Sequence, residues 1–216
     1  MPTRPSRQSK SAKHPPRQEI PRAWQRMLSG RRLDLLDPSP FDIEIEDVAH
    51  GLARVARWNG QTKGEHVFSV AQHSLLVEAI AHAISGGLSD PARLTVLLHD
   101  SAEYVIGDII TPLKSVIGEG YAAVEGRLRA AVHLRFGLPP EPPPDLARIL
   151  KRADRIAAYL EATELAGFSR PEADEILGRP EIRPAGMERY LEPWPTHEAQ
   201  LRFQARFREL AGVQSA

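Results

Sequence analysis

The sequence predicts an all-α fold, a single helical bundle preceded by a disordered basic arm. Three observations predict it. Apolar residues recur at steps of three and four through several stretches between Ile45 and Leu160, which is the spacing of one helix face. Residues suited to helix ends stand where those stripes begin or stop, among them Ser69, Ser89-Asp90-Pro91 and Gly167. No stretch alternates convincingly between polar and apolar residues as a half-buried strand would, and no segment repeats. With 216 residues, 42% of them apolar, the chain can build one domain of ordinary size with a real core.

The formal net charge is zero but unevenly spread. Residues 1–32 hold nine Lys or Arg and one acid, Glu19, a balance of +8, which leaves −8 for the remainder. Residues 1–20 are rich in Pro, Ser and Arg and read as disordered. A basic arm can touch nucleic acid. This one has no aromatic residue before Trp24, so a solubilising tail is the preferred reading. Residues 33–216 read as the folded domain, with a functional core over about 42–166.

Within 22–36 a short helix is expected before Ser29-Gly30, and Asp37-Pro38-Ser39-Pro40 is a loop. Ile45, Val48, Leu52 and Val55 form one helix stripe, ended by Asn59-Gly60. Ser69 caps a helix from Val70 to about Ser85, and Gly86-Gly87 ends it. Ser89-Asp90-Pro91 opens a helix running through Leu94, Leu97 and Leu98 to His99-Asp100. Gly107 breaks the chain, and Thr111-Pro112-Leu113-Lys114 reads as a loop. A helix follows from about Tyr121 to Phe136, then a connector with five prolines between Gly137 and Pro144. Residues 145–166 carry the longest helical pattern, with Asp154 interrupting its apolar side. Residues 168–195 are mostly irregular, with a short helix at 172–177, and Thr196 starts a last helix whose face holds Leu201, Phe207 and Leu210.

Several functions are excluded by composition. There is no cysteine, so disulfides, thiolate metal sites and cysteine nucleophiles are absent. No apolar run approaches the ~20 residues that span a bilayer. The basic start lacks the apolar segment of a secretory signal, and four prolines by position 16 argue against an amphipathic transit helix. The cytoplasm is the default location.

The chemistry gathers in Leu97-Leu98-His99-Asp100-Ser101-Ala102-Glu103-Tyr104-Val105-Ile106-Gly107-Asp108. An apolar helix runs into adjacent His99 and Asp100, with Glu103 three residues after the Asp and Asp108 five further on. A solvated face would carry Lys and Arg as well. His73 and Asp154, each on another predicted helix, complete the set. Imidazole nitrogen and carboxylate oxygen together suit a divalent transition metal. Helical neighbours project about 100° apart, so His99 and Asp100 can both reach one ion beside a helix end. Ligands from further helices then close the site, as in bundle cores. His82, nine residues from His73, falls on the opposite helix face and should point away. His133 has no acidic or His partner at ligand spacing.

The order His73, His99-Asp100, Asp154 resembles the HD-domain metal-dependent phosphohydrolases, and among them the bacterial 5′-deoxynucleotidases and related deoxynucleotide triphosphohydrolases. The resemblance covers about residues 42–166. Arg57-Trp58 is similar to the Arg-Trp pair that meets the nucleotide, Thr111-Pro112-Leu113-Lys114 to a Thr-Pro-x-Lys segment near phosphate, and Lys151-Arg152-Ala153-Asp154 to the segment of the last metal ligand. Gln72 departs from the pattern, which often has Glu before this His.

The resemblance implies an all-α HD-domain bundle and one divalent metal ion (Mn, Co, Zn, Fe or Ni) held by His73, His99, Asp100 and Asp154. It implies catalysis by Glu103 on a water and by Asp108 as general acid. It implies substrate binding by Arg57, Trp58, Thr111 and Lys114, a nucleotide substrate, and a homodimer. Deoxynucleoside monophosphates are the first expectation. A triphosphate-cleaving or signalling-nucleotide hydrolase, and a non-catalytic nucleotide-sensing or nucleic-acid-associated module, stay open.

Overall fold

The computed structural model describes residues 23–212; the expected disorder of residues 1–20 lies outside them. The described chain starts with a hairpin of two short strands, β1 (Trp24–Arg26) and β2 (Arg32–Asp34), paired antiparallel with Gln25 opposite Leu33. Nine α-helices follow among the described residues: α1 (Ile45–Leu52), α2 (Val70–Ile84), α3 (Asp90–Leu97), α4 (Glu103–Ile106), α5 (Thr111–Ile117), α6 (Glu119–Arg135), α7 (Pro144–Glu164), α8 (Arg170–Ile176) and α9 (Thr196–Leu210). Among the described residues no helix is long and apolar enough to cross a membrane.

Helix α2 is the centre. Ser69 accepts from the Gln72 amide and starts it, as a capping Ser should. Eleven of its fifteen residues are buried, which marks an interior helix rather than one with a single apolar stripe. One half packs into a core with α1, α3, α6, α9 and Leu33; the other packs with α7 around Phe68, Leu76, Ile80, Ile156 and Leu160. A polar side chain on α2 is therefore placed deep between helices.

Two expectations are corrected. The short helix expected within 22–36 is the β1–β2 hairpin, and residues 24–32 of the expected arm belong to it. Gly30, at φ +88°, makes a turn that an L side chain would strain. Leu33 is fully buried, and Ser29 bonds Asp47 of α1 through its N–H at 3.0 Å and its hydroxyl at 2.5 Å. The loop expected at Thr111-Pro112-Leu113-Lys114 is the start of α5. Pro112 stands in the first turn, where its missing N–H has no intrahelical partner to lose.

Gln72 is buried and builds structure. Its amide nitrogen donates to the Tyr190 and Glu192 carbonyls at 2.9 and 2.7 Å, and its oxygen accepts from the Trp194 N–H at 3.0 Å. A carboxylate at this position could not donate to two carbonyls. The departure at Gln72 thus has a local reason.

Candidate metal centre

His73 leaves the buried side of α2, His99 and Asp100 follow the end of α3, and Asp154 comes from α7. The four converge. His73 Nε2 lies 3.4 Å from Asp100 Oδ2 and 3.3 Å from Asp154 Oδ1, and His99 Nε2 lies 3.2 Å from Asp100 Oδ2. Ligand atoms of His73, His99 and Asp154 all fall within 4.8 Å of one another.

The ring orientations fit a cation. His99 Nδ1 donates to the Val96 carbonyl at 2.9 Å, and His73 Nδ1 donates to Glu161 Oε1 at 2.5 Å. Each bond places a proton on Nδ1 and turns Nε2 inward, where its lone pair would serve an ion. Both Nε2 atoms are buried without a hydrogen-bond partner among the described residues. Such atoms are rarely tolerated unless something satisfies them. Two imidazole nitrogens with carboxylate oxygens suit a divalent transition ion. A cavity of about 280 Å³ opens beside them, lined by His99, Asp100, Asp154, Arg129, His133 and Lys151. His133 is thus brought to the site, although its sequence neighbours offered no partner.

Glu161 was not singled out in the sequence. It stands on α7 seven residues after Asp154, about two turns, and so on the same face. That spacing was the available signal. Besides His73, its fully buried carboxylate accepts from Trp58 Nε1 at 2.9 Å and faces the Arg57 guanidinium at 3.5 Å. Burial pushes this carboxyl up, but His73 and Arg57 outweigh burial and hold it down to about 2.

Arg57 and Trp58 reach Glu161 through a strained turn. The Arg57 N–H donates to the Phe68 carbonyl at 2.8 Å, fixing the strand-like approach to α2. Trp58 and Asn59 then take left-handed backbone angles, φ 56° and 50°. For a bulky residue such as Trp this costs about 1–2 kcal/mol, and strain of this kind gathers at functional sites. The Trp58 ring also meets Phe168, with centroids 5.6 Å apart. Arg57 bonds Asp108 Oδ2 at 3.1 Å, so one guanidinium bridges Asp108 and Glu161.

Glu103 begins α4 and is buried, with Lys114 Nζ 3.7 Å from Oε1. Burial, then the nearby Asp100 and Asp108 carboxylates, push its carboxyl up to about 9, against the pull of Arg57 and Lys114. Lys114 is also paired with Glu125 at 2.8 Å. Thr111 opens α5 on the same segment. His82 lies elsewhere, in a cavity of about 560 Å³ between α2, α3 and α9 that contains none of these residues.

The model of the YfbR-like 5′-deoxynucleotidase family matches residues 48–170. An uncharacterized protein of Rhodobacter capsulatus is 57% identical over 186 residues, 86% of this chain and 94% of that protein. A 5′-deoxynucleotidase of Vibrio parahaemolyticus is 35% identical over 122 residues, covering 44% of this chain and 61% of that protein. The 5′-deoxynucleotidase YfbR of Escherichia coli is 30% identical over 122 residues, covering 44% of this chain and 60% of that protein. The chain thus spans about three fifths of the named 5′-deoxynucleotidases. The family match takes in more than half of the chain and every side chain of the cluster from Arg57 to Glu161. The chain belongs to the YfbR-like 5′-deoxynucleotidase family, within the HD superfamily.

Proposed function

We propose that this protein is a divalent-metal-dependent phosphohydrolase of nucleotides, and that it removes the phosphate of deoxynucleoside 5′-monophosphates. One observation carries the reading: the inward-facing atoms of His73, His99, Asp100 and Asp154 meet beside Glu103, Asp108 and Arg57. The named activity of the V. parahaemolyticus and E. coli relatives supports the choice of substrate.

In this reading the four converging residues hold the ion. When bound, the ion polarises the phosphoryl oxygen and acidifies a water. Phosphoryl transfer then asks the protein for placement and charge compensation more than for covalent chemistry. Glu103, beside the converging residues and Lys114, takes the proton of the attacking water in its carboxylate form; the bound ion would offset the neighbouring carboxylates that push its carboxyl up. Asp108, held by Arg57, gives its proton to the leaving 5′-oxygen. Arg57 and Lys114 offset phosphate charge. Trp58, fixed by its bond to Glu161, walls the nucleoside, and Thr111, which opens the helix that carries Lys114, belongs to the phosphate-binding segment. The homodimer implied by the resemblance belongs to this reading, and sedimentation equilibrium of the full chain decides it.

The test is phosphate release from nucleoside mono-, di- and triphosphates, ribo and deoxy, by metal-stripped protein refilled with manganese, cobalt or zinc. Orthophosphate from deoxynucleoside monophosphates is expected. Pyrophosphate or triphosphate from longer nucleotides would move the substrate to the triphosphates. No release with any ion, from protein shown to bind one, would overturn the catalytic reading.

A further inference from the structure

A second cavity, about 390 Å³, lies against α7 on a face adjoining that of the metal centre. Successive helical residues step by about 100°. Ala147, Leu150, Lys151 and Asp154 therefore face the metal cavity, while Arg148, Lys151, Arg152 and Arg155 face this one, about a quarter turn round. Lys151 lines both. The opposite wall is the turn after α8, which contributes Arg179 and Glu181. Five cations and one acid thus line a groove in a chain whose residues beyond 32 sum to −8.

Such an arrangement is unfavourable by itself. Arg148 with Arg152, and Lys151 with Arg155, are like charges four residues apart on one helix, a spacing at which they repel. The compensation present is thin. Arg148 pairs with Asp145 and Arg152 with Glu181, but those carboxylates are 84% and 87% exposed, where an ion pair contributes little. Lys151 and Arg179 form no ion pair among the described residues. The groove is nevertheless held in shape. Arg155 donates to the Leu177 carbonyl at 3.3 Å, and a Cβ added at Gly178, which has φ +78°, would come within 3.2 Å of that guanidinium. The turn approaches α7 through the one residue that leaves room.

We propose that this groove is a binding site for a linear polyphosphate, the chemistry shared by inorganic tripolyphosphate and the tail of a nucleoside triphosphate. Guanidinium groups match phosphate oxygens with paired N–H donors, and four of the five cations are arginines. No aromatic side chain lines the cavity. Single-stranded nucleic acid, which is held by stacking as well as charge, therefore fits it less well. The volume suits a compact ligand. The site stands independently of the proposed hydrolysis.

The test is calorimetric titration of the full chain with inorganic tripolyphosphate in chelator-containing, low-salt buffer, which keeps divalent ions out of both partners. One tripolyphosphate per chain is expected. Arg148→Glu combined with Arg179→Glu should weaken it at least tenfold. Arg127→Glu with Arg208→Glu, the same charge change at exposed positions outside the groove, should alter it less than twofold. Arg179→Ala alone, on the facing turn, should give a several-fold loss and stands in if the double variant does not fold. Equal binding of inorganic tripolyphosphate and dATP would assign recognition to the phosphates alone. Tighter dATP would assign the site to nucleotide tails. No binding, equal weakening by both double variants, or orthophosphate binding as tightly as tripolyphosphate would overturn the proposal.

Discussion

His73 Nδ1 donates to Glu161 Oε1 across 2.5 Å, with both side chains wholly out of solvent. This bond sets the tautomer that turns Nε2 toward Asp100 and Asp154. Carboxylates behind a metal-bound histidine commonly contribute 10–100-fold in metal affinity, roughly. Glu161→Gln keeps the shape and removes the charge. It should weaken manganese or zinc binding by about that factor, measured by competition with a chromogenic chelator. Unchanged affinity would show that His73 is oriented without Glu161.

Asp108 meets Arg57 and is not among the converging ligand atoms. Asp108→Asn can still accept from Arg57 but has no acidic proton to give. It should lower kcat by about 10²–10⁴-fold, the usual contribution of a positioned acid, and leave metal affinity within twofold. If KM rises while kcat holds, Asp108 serves binding and its role as the acid is lost.

Gly51, near the end of α1, lies against the backbone of α4. A Cβ there would come within 2.5 Å of the Tyr104 carbonyl oxygen and 3.0 Å of Tyr104 Cα. Backbone cannot rotate aside as a side chain can, so Gly51→Ala should destabilise the protein by about 1–3 kcal/mol. It should also reduce turnover at temperatures where the variant is folded, because the residue displaced is next to Glu103. Gly126 of α6 has no atom within 4 Å of an added Cβ, and Gly126→Ala should stabilise by up to about 1 kcal/mol. Urea melts of the pair give both signs; an unaltered midpoint for Gly51→Ala would mean that α4 yields.

His133 is buried, and burial holds its imidazole below the ordinary value of 6.5. The unfolded chain therefore binds a proton more readily than the folded one. The stability tied to neutral His133 is complete above pH 6.5 and is lost as pH falls from there through the lower folded value. Urea midpoints should drop between pH 7.5 and 5, and His133→Gln should flatten that slope. Identical slopes in the two proteins would remove His133 as its origin.

Three of the four converging candidate ligands were legible because each breaks a local rule: Asp154 interrupts an apolar stripe, and His99-Asp100 ends another. His73, on a helix that buries other polar residues too, was legible from the order His73, His99-Asp100, Asp154. Glu161 broke no rule that composition could reveal. It follows Leu160 and precedes Ala162, and only the seven-residue spacing from Asp154 placed it on the same face. The bridge from Arg57 to Asp108 joins residues 51 apart, a distance that no helical period encodes. The hairpin was hidden for another reason. Its strands are three residues each, too short to display alternation, and of the six residues only Leu33 is buried. Helix α5 was hidden by Pro112, which ends a helix from within but suits its first turn.

The Gln72 amide has a consequence for how the molecule divides. The family match stops at residue 170, yet the carbonyls of Tyr190 and Glu192 and the N–H of Trp194 are fastened to the residue beside His73. The tail beyond the match therefore acts as a buttress: it grips the same turn of α2 that presents an imidazole to the metal centre. A trimmed chain ending near residue 170 would leave the buried Gln72 amide without its three bonds, next to the histidine that most needs a fixed position. The part shared with the family and the part outside it are one mechanical unit, joined at residue 72 and through the core that α9 shares with α1, α2 and α3.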